Sequence, residues 1–227
     1  MRLSLIPLVT ALLPAVAINV SYLIAASQGH VAWCIPYIEG CTSISATGRQ
    51  APEAYVFRAA IIPTAVLLIV HWSLCHAWLK SLGGAAAGLN RAMLVLGVVA
   101  ALALILYATV LGSIGDGYRL QRRIGVSVFY VCTVLAELLL TWQVVAAARR
   151  GALRQARRSV GLLAGVGLAI AVAGLLGLVL SAAWEGYGRY DDSVQWSFTL
   201  LMLAHIFVTG FAWRESGFRA SFAVAER

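Results

Sequence analysis

The sequence predicts an all-α membrane protein, a single bundle of six transmembrane helices over residues 1–227, and three observations support this fold class. Hydrophobic residues make up 61% of the chain and charged residues 11%, whereas soluble domains carry about 25% charged residues. The mean hydropathy of the chain is +0.87. Six apolar runs are each long enough to cross a hydrocarbon core of about 30 Å. The chain has too few polar residues to coat a soluble globule, so lipid must form part of its solvent.

The six apolar runs are the predicted helices. Each has about 20 residues, which suits a helix that crosses the membrane and exceeds the length of a barrel strand. Inside lipid every backbone polar group must be satisfied within the protein, so a run of this length is a helix. The first run follows Arg2 as a signal peptide would, but it is longer than a usual signal-peptide core, and we interpret it as a true span. The predicted spans are residues 5–26, 57–79, 93–113, 124–148, 160–183 and 194–213.

The arginines indicate the orientation. The linker between the fourth and fifth runs reads ARRGALRQARR, and cytosolic loops are enriched in Lys and Arg. We therefore predict that both termini are cytosolic and that the segment 27–56 lies outside. Arginines that flank the spans also account for the net charge of +8, and we predict no nucleic-acid partner. The predicted location is the cytoplasmic membrane for a bacterial source, and otherwise the Golgi, the endoplasmic reticulum or the plasma membrane.

The segment 27–56 is the longest predicted loop, and it holds Cys34 and Cys41. In an oxidising compartment these two cysteines can pair. Closing a short loop in this way contributes roughly 2–3 kcal/mol. We predict a disulfide between Cys34 and Cys41, the alternative being two free thiols.

Three histidines and one glutamate, His71, His76, His205 and Glu137, fall inside the predicted spans, and His71, Glu137 and His205 are the candidate intramembrane residues. A buried ionisable group costs several kcal/mol unless it is paired, so each is a functional hypothesis by default. Glu137 and His205 fall near the middle of their spans and can pair. Three interpretations stay open: a tie between helices, a substrate or proton site, or separate packing against backbone carbonyls. His71, Cys75 and His205 do not form a recognisable set of converging ligands, and we predict neither a metal nor a cofactor.

The predicted outer loops carry a mixture of arginines, carboxylates and hydroxyls. One interpretation is a salt-bridged cap over the bundle. The other is a lipid-headgroup site, in which arginines bind phosphate and hydroxyl or carboxylate groups are available for acid–base or acyl-transfer chemistry. No catalytic sequence motif accompanies these residues, so no catalytic residue is assigned. The candidate headgroup residues are Ser43, Ser45, Thr47, Arg49, Glu53, Arg58, Asp116, Arg122 and Asp192.

The first outer loop resembles a known family. It reads PYIEGCTSISATG at residues 36–48 and PEAYVFR at residues 52–58. This sequence pattern resembles that of the Frag/DRAM/Sfk family of six-span membrane proteins. It looks closest to the branch that contains the post-GPI-attachment lipid-remodelling factor. The resemblance implies lipid handling: GPI-anchor acyl remodelling, organisation of phosphoinositides and sterols, or autophagy and lysosomal signalling. It also implies that the motif residues Ser43, Ser45, Thr47, Arg49, Glu53 and Arg58 help to form the site.

The expected function is the handling of lipid or glycolipid headgroups at the outer leaflet, by binding or organising lipids or by assisting a membrane enzyme. One alternative is a lipid-remodelling acyltransferase, which would bring Ser43 or Ser45 within hydrogen-bond distance of an outer carboxylate. Another is a proton-coupled transporter that uses Glu137 and His205, which would show a polar cavity reaching Glu137. The expected partners are membrane lipids or glycolipids and a membrane enzyme.

Overall fold

The computed structural model describes residues 3–83 and 86–219, and within these ranges the chain forms six long helices and no strand. All six are long and apolar enough to cross a membrane, so the predicted fold class is confirmed. Residues 1–2, 84–85 and 220–227 lie outside the described part, and so does Arg2, which precedes the first predicted span. The helices are α1 (Leu5–Ser27), α2 (Glu53–Ser81), α3 (Ala87–Thr109), α4 (Asp116–Arg149), α5 (Arg157–Ala183) and α6 (Asp191–Glu215).

The bundle has two distinct ends. The terminal end holds the start of α1 and the end of α6, where Gly210 packs closely on the backbone of Ser4. The loop end holds the connections after α1, α3 and α5. Which end faces the cytosol stays a prediction from the arginines.

The helices α2 and α4 each begin, with a carboxylate in the first turn, at least four residues before their predicted apolar runs. The helix α2 begins at Glu53, and α4 begins at Asp116 and has 34 residues. A carboxylate in the first turn is favourable because it faces the positive end of the helix dipole. At 1.5 Å per residue α4 is about 51 Å long, well beyond a hydrocarbon core of about 30 Å. Its first five residues, 116–120, are exposed, and they precede the predicted apolar span.

Neighbouring helices in the chain pack against each other, and α1 also packs on α6. The core is built around large fully buried side chains, among them Trp72, Trp196 and Trp213. The helix α5 is the least buried of the six. All its buried residues lie between Ser159 and Ile170, and none follows Ile170. The loop half of α5 is therefore much less enclosed by the bundle than its terminal half.

The contact between α2 and α3 depends on one glycine. Gly97 of α3 lies directly beneath the indole ring of Trp72, and a Cβ at this position would overlap that ring. Trp72 is itself completely buried, so the ring has little room to move. Small residues allow such close helix approaches in membrane proteins.

We expect Gly97→Ala to lower the free energy of unfolding by about 1–3 kcal/mol, because the added methyl overpacks the core. Thermal unfolding in detergent measures the change. Gly88→Ala is the matched control in the same helix, because a Cβ there would meet nothing within 4 Å. Equal stability of the two variants would contradict the prediction.

Candidate functional site

A segment that we call the lid, residues 34–48, covers the loop end of the bundle. It contains a short helix (Pro36–Glu39), a left-handed Gly40 with φ of 60° and a 3-10 turn (Ala46–Gly48). A disulfide joins Cys34 to Cys41, as the sequence analysis predicted. The lid is thus a covalently closed loop followed by a tight turn.

The lid is hydrogen-bonded to the first and last helices. The Tyr22 hydroxyl of α1 accepts from the Cys34 amide at 2.8 Å and donates to the Cys34 carbonyl at 2.7 Å. On α6, the Trp196 indole donates to the Thr42 carbonyl at 2.8 Å. The lid is therefore anchored at both of its edges.

Tyr37 of the lid is hydrogen-bonded to a polar residue of α1. Its hydroxyl lies 2.9 Å from Nδ2 of Asn19. Burial raises the pKa of Tyr37, and the hydrogen bond from Asn19 acts in the opposite direction. The hydroxyl consequently stays protonated and neutral at physiological pH, and it supplies a partner to the Asn19 amide at the edge of the apolar span.

The hydroxyls of the lid motif are used in hydrogen bonds that shape the turn. Ser43 Oγ accepts from the Ala46 amide at 3.2 Å, and Thr47 Oγ1 donates to the Ile44 carbonyl at 2.8 Å. Ser45 differs, because its hydroxyl reaches out of the lid to the Tyr107 hydroxyl of α3 at 2.6 Å. Two of the three predicted hydroxyl residues thus hold the lid in shape, and Ser45 ties it to the bundle.

The predicted arginines occupy different positions. Arg58 donates to the Leu111 carbonyl, and Arg122 donates to the Ser113 carbonyl at 2.6 Å. Both guanidinium groups therefore bind backbone oxygens of the α3–α4 connection. Arg49 is exposed, and Asp192, in the first turn of α6, is half-buried.

Glu53 has a partner that the sequence analysis missed. The Glu53 side chain is completely buried, and its Oε1 lies 2.7 Å from Nδ1 of His30. His30 is separated from Glu53 by 23 residues, so no local sequence pattern predicts the pair. The only signal is that an acidic residue at the first turn of a buried helix needs a partner.

The predicted outer residues do not form one cluster. Asp116 pairs with Arg119 at 2.5 Å on the exposed start of α4. Within the described ranges, neither Ser43 nor Ser45 is hydrogen-bonded to Glu53, Asp116 or Asp192. The geometry that acyl transfer at the lid would require is thus not formed among these residues.

A narrow cavity lies directly beneath the lid. Its volume is about 70 Å³, which gives room for roughly two or three groups at the ~30 Å³ that one water molecule occupies in the liquid. Ile44 and Ser45 of the lid form its roof, and side chains of every helix except α5 form its walls. The wall residues are Thr10, Pro14, Ile18, Phe57, Ile61, Thr64, Leu68, Leu104, Tyr107, Val126, Phe129, Tyr130, Thr133, Gln195, Thr199, Met202, Leu203 and Ile206.

The three predicted intramembrane residues form a polar layer beneath this cavity. His71, Glu137 and His205 each lie about one helical turn closer to the terminal end than a wall residue of the cavity. All three are completely buried. Oε1 of Glu137 lies 3.8 Å from Nδ1 of His205, which places the two side chains at one depth.

Further contacts connect the polar layer to its surroundings. Nε2 of His205 lies 2.7 Å from the Thr141 hydroxyl, so a carboxyl, an imidazole and a hydroxyl follow one another across α4 and α6. His71 stacks on the Trp213 ring and lies 3.5 Å from the Cys75 sulfur. In the described part of the chain, no three His, Cys, Asp or Glu side chains converge as a metal site would require.

The comparison with known proteins agrees with this architecture. A search of curated proteins and a search of solved structures each returned no match. The family model of the Frag1/DRAM/Sfk1/Cwh43P N-terminal domain matches residues 2–213, a stretch that contains the lid, the cavity and the polar layer. The chain therefore belongs to the Frag1/DRAM/Sfk1/Cwh43P N-terminal domain family of membrane proteins.

Proposed function

We propose that the protein binds a membrane lipid, with part of one acyl chain in the cavity and the headgroup at the loop end. The observation that carries this proposal is the apolar cavity roofed by Ile44 and Ser45 of the lid motif. Ligand sites are mostly apolar clefts with a few placed polar groups, and this cavity has that character.

The size and depth of the cavity favour a chain as its occupant. It is enclosed mainly by aliphatic and aromatic side chains of membrane-spanning helices, and the surrounding solvent of such helices is lipid. Room for roughly two or three methylene-sized groups suits the end of an unbranched chain and is well below the roughly 150 Å³ of an apolar cavity that binds a single benzene ring. The proposed ligand is therefore a lipid with at least one unbranched acyl chain.

The headgroup would lie at the outer rim of the lid. Arg49 is exposed there, and an arginine can bind a phosphate through two parallel hydrogen bonds. Arg49 follows Ser45 of the cavity roof by four residues, and Ser45 is hydrogen-bonded to the Tyr107 hydroxyl in the cavity wall. A lipid phosphate at Arg49 would therefore sit above the chain that occupies the cavity, in the outer leaflet if the termini are cytosolic.

The geometry favours binding over acyl transfer at the lid. The Ser43 and Thr47 hydroxyls are used within the lid, and Ser45 is hydrogen-bonded to Tyr107. A hydroxyl nucleophile needs an adjacent base, and the neighbour of Ser45 is another hydroxyl. We propose a lipid-binding or lipid-organising role, which includes presenting a bound lipid to a membrane enzyme.

Photolabelling tests this proposal. The purified protein is placed in phospholipid vesicles that contain a phosphatidylglycerol with a diazirine at the end of one acyl chain. We expect labelling of the cavity residues Thr64 and Leu104, which are buried, besides labelling of exposed residues such as Val66 and Leu102.

The same phospholipid with the diazirine next to its ester carbonyl is the control, and we expect it to label the exposed positions without the cavity residues. Labelling confined to Val66, Leu102 and other exposed positions with both lipids would overturn the proposal.

A further inference from the structure

The wall of the cavity is thin on one side only. Most wall residues are buried, but Val126, Phe129 and Tyr130 of α4 and Gln195, Thr199 and Leu203 of α6 are half-buried. Apart from Ser45 in the roof, every half-buried wall residue belongs to these two helices. The cavity therefore approaches the molecular surface between α4 and α6.

The helix α5 leaves this side uncovered. Its terminal half packs between α4 and α6, where Gly167 lies against the Thr141 side chain. Its buried residues end at Ile170, and no described α5 residue lines the cavity. In its loop half, Gly174 faces the Phe198 ring and Gly177 faces the Tyr187 hydroxyl. Neither of these residues belongs to α4. At the depth of the cavity, the gap between α4 and α6 therefore borders the lipid.

One hydrogen bond crosses this gap. The Tyr130 hydroxyl of α4 lies 2.6 Å from the Thr199 hydroxyl of α6. Thr199 already donates its proton to the Gln195 carbonyl at 2.8 Å, so Tyr130 must be the donor. The Tyr130 ring also packs near Phe198, with ring centroids 6.5 Å apart. The bond and the ring close the thin side of the cavity.

We propose that this gap is a lateral portal, through which an acyl chain of a lipid in the same leaflet enters and leaves the cavity, and that the Tyr130–Thr199 hydrogen bond is its latch. The inference rests on the proposed lipid binding and adds the route and the class of ligand: a chain that stays within the bilayer, not a ligand delivered from water. Entry beneath the lid would instead break the anchors to Tyr22, Trp196 and Tyr107.

The test measures exchange of the chain-end diazirine lipid. Protein equilibrated with labelled vesicles is mixed with a large excess of unlabelled vesicles, and flash labelling of the cavity residues is followed over time. We expect Tyr130→Phe and Thr199→Val each to accelerate exchange by roughly threefold to tenfold, the factor that corresponds to one net hydrogen bond. Labelling at equilibrium is measured for each variant beside its exchange rate, because Tyr130 and Thr199 also line the cavity, and the exchange rate is compared at equal occupancy.

Two comparisons make the result specific. The double variant should exchange no faster than either single variant, because both changes remove the same bond. Thr141→Val is the matched control: it removes a second hydrogen bond that joins α4 and α6 in the described ranges, to His205 outside the cavity wall, and should leave the exchange rate unchanged.

Each remaining outcome overturns a defined part of the proposal. Unchanged exchange in the Tyr130 and Thr199 variants, with normal labelling of the cavity at equilibrium, removes the latch and leaves lipid binding intact. Faster exchange in Tyr107→Phe without an effect of Tyr130→Phe places the entrance beneath the lid. Absence of cavity labelling in the unmodified protein removes both the portal and the proposed function.

Discussion

Replacing His30 with alanine is expected to lower the free energy of unfolding by about 3 kcal/mol. The Glu53 carboxyl is completely buried, and Nδ1 of His30 lies 2.7 Å from it. Removing one partner of a buried pair leaves the other without compensation, which costs about 3–5 kcal/mol. Because His30 is 25% exposed, water replaces it in part, and we expect the lower end of this range. Thermal or denaturant unfolding in detergent measures the effect.

The matched control replaces both partners. In the double variant His30→Ala and Glu53→Leu no buried carboxyl remains, and we expect most of the lost stability to return. Disruption of the exposed Asp116–Arg119 pair by Asp116→Ala should lower the free energy of unfolding by less than about 1 kcal/mol, the sum of an exposed ion pair and one charge at a helix terminus. A double variant as unstable as His30→Ala would show that the carboxyl is not the cause.

Replacing Thr133 with leucine is expected to stabilise the protein and to reduce occupation of the cavity strongly. The Thr133 hydroxyl is buried, lines the cavity and has no hydrogen-bond partner in the described structure. An unpaired buried polar group costs about 1–3 kcal/mol, so its removal should raise the free energy of unfolding by about 1 kcal/mol. The larger leucine side chain fills space that the acyl chain would use. We expect cavity photolabelling to fall at least roughly tenfold, the loss that about 1.4 kcal/mol of binding energy produces.

Thr133→Val separates the two effects. Valine has the shape of threonine without the hydroxyl, so it should give the gain in stability and keep most of the labelling. If Thr133→Leu is labelled as strongly as the unmodified protein, the cavity is not the site of the chain.

The helices and the disulfide could be predicted because each depends on local sequence. Runs of apolar residues give the six spans, and Cys34 and Cys41 are separated by seven positions. The early start of α4 was not predicted, because a hydropathy pattern marks the lipid-contacting part of a helix and not its solvated turns. The signal that could have found this start is Asp116, a carboxylate in the first turn of α4.

The candidate site was only partly predictable. The shared depth of Glu137 and His205 follows from their positions in two spans, and the structure places them 3.8 Å apart. The pairs His30–Glu53 and Ser45–Tyr107 join segments that are distant in the chain, and their formation depends on how each helix is rotated and tilted. Packing against neighbouring helices sets rotation and tilt, and one sequence does not encode them as a readable pattern.

The spacing of two residues on α6 links the surface of the molecule to its interior. Trp196 is hydrogen-bonded to the lid, and Thr199 is hydrogen-bonded to Tyr130 in the latch. The two residues are three positions apart, so they lie on adjoining turns of one rigid helix. A displacement of α6 that admits an acyl chain would also shift the Trp196 indole, which is hydrogen-bonded to the Thr42 carbonyl of the lid. The lipid-bound and lipid-free proteins would then differ in the position of the lid. A second membrane protein that contacts the lid would respond to the bound lipid without contacting the lipid itself.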